Sequence, residues 1–319
     1  MCVFEVKCIR EREREREMSE WRYGGGGGGG GGYVSVQGPD EAGVVLVRIC
    51  WRQKNNAINL YMMKAIADLF TLIGETTTAA SPSTTMTTER EQERAMMAAR
   101  HGGKGARVVV LTGLGEEHFC AGVDLTAAKG VFQGDIGGDA DSPFVCISKC
   151  PLPVVCAVNG AAFTAGLELA LSCDIIVAGP SAKFADTHCK YGIMPSGGAS
   201  ARLPRLIGAS KAKYMTLTST PIDGKTAVEW GLASVLSASD ADTLGEAMRI
   251  AQTIARHHEE TVRGYKSNLD DGGLMNLGDA LRMEKERAYE AYRKMPANLF
   301  ERMKTFKSSS KRAAPRPRM

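Results

Sequence analysis

The chain of 319 residues contains no uninterrupted apolar run approaching the ~18 residues that mark a membrane-spanning helix. Its opening, "MCVFEVKCIREREREREM", also lacks the apolar core of a secretory signal. Neither a membrane span nor a secretory leader is therefore expected. Net charge is scarce as well: the formal value is only +4, and much of the basic excess lies in the tail "KSSSKRAAPRPRM". With no RGG repeat and no basic patch interleaved with aromatics, the sequence offers no electrostatic footprint for nucleic acid. Metal ligands are equally sparse. Cys146 and Cys150 have zinc-like spacing, but no second Cys or His pair completes a site. The nine cysteines are an odd number scattered through apolar segments, among them Cys50, Cys156 and Cys173, which fits free thiols in a reducing compartment.

What is present suits a folded domain with a large core: 44% of residues are hydrophobic and 6% aromatic. Residues 1–33 stand apart. They hold the alternating "REREREREM" and nine consecutive glycines from Gly24 to Gly32, neither of which builds a packed core, so the segment is expected to be disordered, with Met18 a second candidate start. A core region follows over residues 34–236. "GVVLVRIC", "RVVVLTG", "PVVCAVNG" and "DIIVAG" read as buried strands, "AKFAD" as a further short strand, and "NLYMMKAIADLF" and "TAGLELALS" as helices. The Thr-rich stretch at about 74–105 interrupts this pattern and reads as a surface insertion, with "EREQERAMMAAR" a helical piece. Residues 237–304 are helical in pattern, and 305–319 form a basic tail. Strands interleaved with helices and followed by a helical C-terminal region predict an α/β fold.

One residue demands an explanation. Glu168 sits in "NGAAFTAGLELALSCDI", surrounded by small and apolar residues, and a buried carboxylate is costly unless it is paired or used. The same stretch ends a strand and opens directly into a helix at Thr164, Ala165 and Gly166. A helix start of small residues offers unpaired N–H groups to a ligand oxygen, as an oxyanion hole requires.

Taken together, "HFCAGVDL", "NGAAFTAGLELALSCDI", "AKFADTHCKYGIMPSGGASARLPRLIG" and "GLAS" resemble the enoyl-CoA hydratase/isomerase (crotonase) family. The resemblance runs from about Val44 to Lys304, the Thr-rich insertion apart. "GVDLTAAKGVFQGD" and "LGDALRMEKERAYEAY" are similar to the plant peroxisomal monofunctional hydratases within it. It implies a spiral of ββα repeats with a helical C-terminal oligomerisation region, and a homotrimer or hexamer. The substrate it implies is an acyl-CoA, with no separate cofactor because CoA arrives as part of the substrate.

Carried onto this chain, the resemblance makes the amides of Val123 and Ala165 the oxyanion hole and Glu168 one of two catalytic glutamates. The second glutamate is missing, and His188 occupies its position. Family isomerases commonly depend on that second glutamate, so hydration of a 2-enoyl-CoA is expected ahead of 3,2-isomerisation or thioester hydrolysis. A histidine can still orient water or carry a proton. The CoA moiety is expected near Asn56, Ala57 and Ile58, near Asp124 and Leu125, and at Lys304. Outside the family's chemistry, a non-catalytic acyl-CoA- or RNA-binding role is the alternative. The final Pro317, Arg318 and Met319 resemble a relaxed peroxisomal address, so the peroxisome is the expected compartment, with the mitochondrion or cytoplasm as the alternative.

Overall fold

The computed structural model describes residues 7–8, 20–23, 31–78, 105–133, 142–296 and 299. The chain forms two compact units, residues 1–263 and 264–319.

The first unit is built on two sheets. The larger contains β1 (Lys7–Cys8), β2 (Glu20–Tyr23), β3 (Tyr33–Gln37), β4 (Val44–Cys50), β5 (Val108–Gly113), β7 (Val154–Val158), β9 (Ile175–Ala178) and β12 (Val235–Leu236), neighbouring in that order. The smaller contains β11 (Ile222–Asp223), β10 (Lys183–Ala185), β8 (Ala161–Phe163) and β6 (His118–Cys120). Successive strands thus alternate between sheets: β5, β7 and β9 join the larger, and β6, β8 and β10 the smaller. A helix follows each of β6, β8 and β10. This is the expected α/β spiral of ββα repeats.

The alternation has a local cause. Between β7 and β8 the chain turns at Asn159 and Gly160, and a Cβ on Gly160 would lie 2.2 Å from the Glu117 backbone, so only glycine fits. Asn159 is buried and its amide donates to the carbonyl of Gly113, tying this corner to the end of β5.

The central strands of the larger sheet, β4, β5, β7 and β9, read as nearly continuous apolar runs because both faces are covered. Val44, Leu46, Val108, Val110, Val155, Ala157 and Val177 pack against Ala247, Ala251 and Ala255 of the helix Thr243–Ala255. The opposite set, including Val45, Val47, Ile49, Val109, Leu111 and Cys156, joins Met62, Ile66 and Phe70 of the helix Leu60–Thr78. Period two in the strands therefore meets the i, i+4 spacing of one helix on each side. Cys50, Cys120, Cys146, Cys150, Cys156, Cys173 and Cys189 are free thiols.

Two expectations differ from what is seen. Within residues 1–33, expected to be disordered, β1 pairs with β2 and β2 pairs antiparallel with β3, so Trp21 stands opposite Val36. The edge of β3 offers unpaired backbone groups, and "EWRY" supplies a strand that takes them. The helix from Leu60 continues to Thr78, past the expected start of the insertion at about 74. The remainder of that insertion, including "EREQERAMMAAR", lies outside the described residues apart from Gly105.

The unit 264–319 contains the C-terminal part of the helix Glu259–Gly272 and the helix Leu277–Arg293. Asn276 caps the latter by accepting the Asp279 N–H at 3.0 Å. Arg287 links the two helices through Asp271 at 2.7 Å. Leu269, Leu274, Leu277, Leu281, Tyr289 and Tyr292 remain exposed on this unit. No helix among the described residues is long and apolar enough to cross a membrane.

Candidate active site

Glu168 lies in the helix Ala165–Leu171, every residue of which is buried. A helix buried all round is apolar all round, and the one carboxylate in it must find internal partners. Glu168, 2% exposed, finds them on a distant part of the chain: its Oε1 accepts the N–H of Gly197 at 2.8 Å and of Ala199 at 3.1 Å. These amides stand at the start of the helix Ala199–Ile207, whose positive end favours a negative charge. Burial nevertheless dominates. It pushes the carboxyl above its ordinary range, while the amides of Ala199 and Gly197 and the neighbouring His188 pull it back.

With Oε1 occupied, Oε2 is the oxygen left to face the site. It lies 3.8 Å from Nε2 of His188. His188 opens the one-turn helix His188–Tyr191 just beyond β10 and is itself buried. Its other nitrogen, Nδ1, is 2.5 Å from Oδ1 of Asp186, which also accepts the His188 backbone N–H at 3.1 Å. Three ionisable side chains, Asp186, His188 and Glu168, thus form a buried line.

The helix carrying Glu168 begins under constraint. Thr164, at its N-cap, has φ 52° and ψ −112°, a region that favours glycine. Its N–H donates to the Ala185 carbonyl at 3.0 Å, and its hydroxyl meets that of Thr187 at 2.5 Å, so the smaller sheet and the His188 loop hold the turn in place. Next to it, Gly166 packs so closely on Cys120 that a Cβ would fall 2.1 Å from that residue's carbonyl oxygen.

This close approach brings the Val123 and Ala165 segments together. Gly122, at φ 108°, faces Phe163, Thr164 and Ala165; a Cβ there would lie 3.8 Å from the Ala165 nitrogen. Val123 is bridged to Ile58 through the Ile58 N–H to Gly122 (2.8 Å) and the Asp124 N–H to Ile58 (2.9 Å). In such a bridge the N–H of Val123 points away from Ile58. The Ala165 N–H, first in its helix, is one of the four that a helix leaves without an internal acceptor.

The residues expected near CoA separate into roles. Asn56 is 1% exposed; its amide nitrogen donates to the carbonyls of Leu114 and His118, and its oxygen accepts the Trp51 N–H. Its side chain is a strut of the fold. Ala57 and Ile58 are buried beside it, and Leu125 is 67% exposed. Asp124 is buried, which pushes its carboxyl up, but hydrogen bonds from Thr126 and Lys54 and the Lys54 charge together hold it below its ordinary value. Lys54, 3.3 Å from Asp124 and over the Trp51 ring, is a cation at this edge that sequence reading missed. Lys304 lies outside the described residues.

Sequence reading also missed Asp186 and the amides of Gly197 and Ala199. "SGGAS" reads locally as a turn, and backbone donors carry no side-chain signature. The spacing Asp-x-His was the one available signal for Asp186, since a carboxylate two residues before a histidine can close back on it.

Comparison with known proteins identifies the family. Residues 83–311 match the family model for enoyl-CoA hydratase/isomerase. The chain is 42% identical over 203 residues to probable enoyl-CoA hydratase 1, peroxisomal, of Arabidopsis thaliana, covering 64% of this chain and 76% of that protein. It is 27% identical over 248 residues to the same plant's probable enoyl-CoA hydratase 2, mitochondrial, covering 76% and 73% respectively. The crystal structure of enoyl-CoA hydratase from Bacillus anthracis matches with a TM-score of 0.72 at 28% identity, over 86% of this chain and 96% of that one. The chain is a member of the enoyl-CoA hydratase/isomerase family.

Proposed function

We propose that the protein hydrates 2-enoyl-CoA to 3-hydroxyacyl-CoA in fatty-acid β-oxidation. The observation that carries this reading is the carboxylate of Glu168, held at Oε1 by two amides and facing Nε2 of His188 across 3.8 Å with Oε2. A water about 2.8 Å from both atoms fits that spacing. Its oxygen attacks C3 of the enoyl group as Glu168 takes its proton. The resulting enolate oxygen is held by the N–H groups of Val123 and Ala165, each such donor lowering the barrier by roughly 3–4 kcal/mol in comparable sites. Glu168 then returns a proton to C2, which completes the addition and restores the carboxylate.

This chemistry calls for no metal or redox cofactor. The CoA portion extends past the backbone of Asn56, Ala57 and Ile58 toward Asp124 and Leu125. The exposed apolar side chains of the unit 264–319 suit a homotrimer or hexamer. The peroxisomal relative supports a peroxisomal location.

The test is hydration of crotonyl-CoA, followed as loss of the conjugated thioester absorbance, for wild type, Glu168→Gln and His188→Ala. The expected result is turnover by wild type and a loss of about 10²–10⁴-fold in Glu168→Gln, the usual range for removing a general base. A wild type that isomerises 3-enoyl-CoA or hydrolyses acyl-CoA, and adds no water, would replace the hydratase reading with another reaction of the family.

A further inference from the structure

We propose that Asp186 is a positioning residue for the reaction, holding His188 as the neutral tautomer with hydrogen on Nδ1, so that Nε2 accepts a hydrogen bond from the attacking water. This deepens the hydratase reading and rests on it.

The argument begins with the water. Its oxygen must keep a lone pair free to attack C3, so both of its hydrogens are best spent on acceptors. Glu168 Oε2 takes one. A second carboxylate would take the other, but His188 stands there, and a histidine is ambiguous: each ring nitrogen donates or accepts according to where the proton sits. With hydrogen on Nε2 the ring would donate to the water, taking up one of its two lone pairs, drawing electron density from the attacking oxygen and leaving one water hydrogen without this acceptor. With hydrogen on Nδ1, Nε2 accepts, and the histidine does what a carboxylate would do.

Asp186 decides between the two. Nδ1 and Oδ1 are 2.5 Å apart, too close for two facing lone pairs, so a hydrogen lies between them. Oδ1 acts as an acceptor at this corner, since it also takes the His188 backbone N–H, so that hydrogen belongs to the ring. The same Oδ1 accepts the His188 backbone N–H at 3.1 Å, which fixes the carboxylate and the ring in one local loop. Asp186 and His188 are 3% and 5% exposed, so bulk water does not compete for the contact. The charged groups paired with the His188 ring among the described residues are Asp186 on Nδ1 and Glu168 on Nε2. No proton is gained or lost by Asp186 or His188 over the cycle: the water proton passes to Glu168 and the C2 proton leaves from it.

The experiment uses the full chain labelled with ¹⁵N-histidine. Five histidines are present, and the His188 signals are those missing from His188→Ala. At the pH of maximal hydration, Nδ1 of His188 is expected to carry a directly bonded hydrogen and Nε2 none. Asp186→Asn is expected to lose that single tautomer and to lower kcat by about 10²-fold, as a misplaced reactant does, with KM within about 3-fold. Asp186→Glu should restore part of the rate. Hydrogen on Nε2, whether in the other tautomer or in a doubly protonated ring, overturns the proposal, as does Asp186→Asn with kcat within 3-fold of wild type. Should Asp186→Asn fail to fold, the wild-type spectrum alone decides. A wild type that hydrates no enoyl-CoA removes the hydratase reading and the water role with it. An active wild type with hydrogen on Nε2 removes only the role of Asp186.

Discussion

Replacing Gly197 by alanine adds one methyl group and tests the placement of Glu168 directly. A Cβ at this position would lie 2.8 Å from both Cδ and Oε2 of Glu168 and 2.8 Å from a ring carbon of Phe144, against the 3.4 Å at which ordinary contact begins. The shortfall is about 0.6 Å, and both neighbours are buried, so neither can swing into solvent. Gly197 does not occupy the left-handed region, so the backbone itself accepts alanine. The strain therefore falls on the carboxylate and the ring, and overpacking of this kind costs about 1–3 kcal/mol of stability. The effect on the reaction should be larger, since displacing a catalytic group by about 1 Å costs about 10²-fold in rate. That corresponds to about 2.7 kcal/mol of barrier. Hydration of crotonyl-CoA by the folded variant is expected to show kcat reduced about 10²-fold with KM within 3-fold, because the residues expected to hold CoA are on other segments. A Gly197→Ala protein with wild-type kcat and wild-type melting temperature would mean that Glu168 is not held where described, or that its position does not matter to the reaction.

The raised pKa of Glu168 has a consequence for stability. A carboxyl that binds its proton more tightly when folded contributes stability that is complete below its unfolded value, near 4.5, and is lost as pH rises through the higher folded value. Glu168→Gln keeps an oxygen for the Gly197 and Ala199 amides but cannot ionise, so its melting temperature should gain on that of wild type between pH 4 and pH 8; parallel curves would refute the shift. The thiols should differ in reactivity too. Burial pushes Cys120 up to about 12 and Cys173 well above the ordinary thiol range, whereas Cys189 is exposed. Brief alkylation of native protein at pH 8, read by peptide mass spectrometry, should modify Cys189 and spare Cys120; labelling of Cys120 before unfolding would contradict its burial.

The sequence by itself determined the elements whose signal is local. Runs such as "VVVL" and "VVCAV" are apolar at every position and rich in β-branched residues, as a short strand covered on both faces is. A single glutamate among apolar residues announced a carboxylate in need of internal partners, and the ordered motifs identified the family. His188 was legible in the same way, as the residue standing where the resemblance leads one to expect a second glutamate, because that is a matter of which residue stands where. Tertiary structure decided what those residues touch. The amides that hold Glu168 come from 29 and 31 residues further along the chain, and they belong to a segment that reads as a turn. Asn56 has a side chain well suited to a ligand and spends it on Trp51, Leu114 and His118. The alternation of strands between two sheets brings β8, β10 and the starts of their helices side by side, and it is this stacking that sets Asp186, His188 and Glu168 in line. Local pattern records burial and periodicity. Hydrogen-bond partners at long separation depend on how the spiral closes, and no window of sequence contains that information.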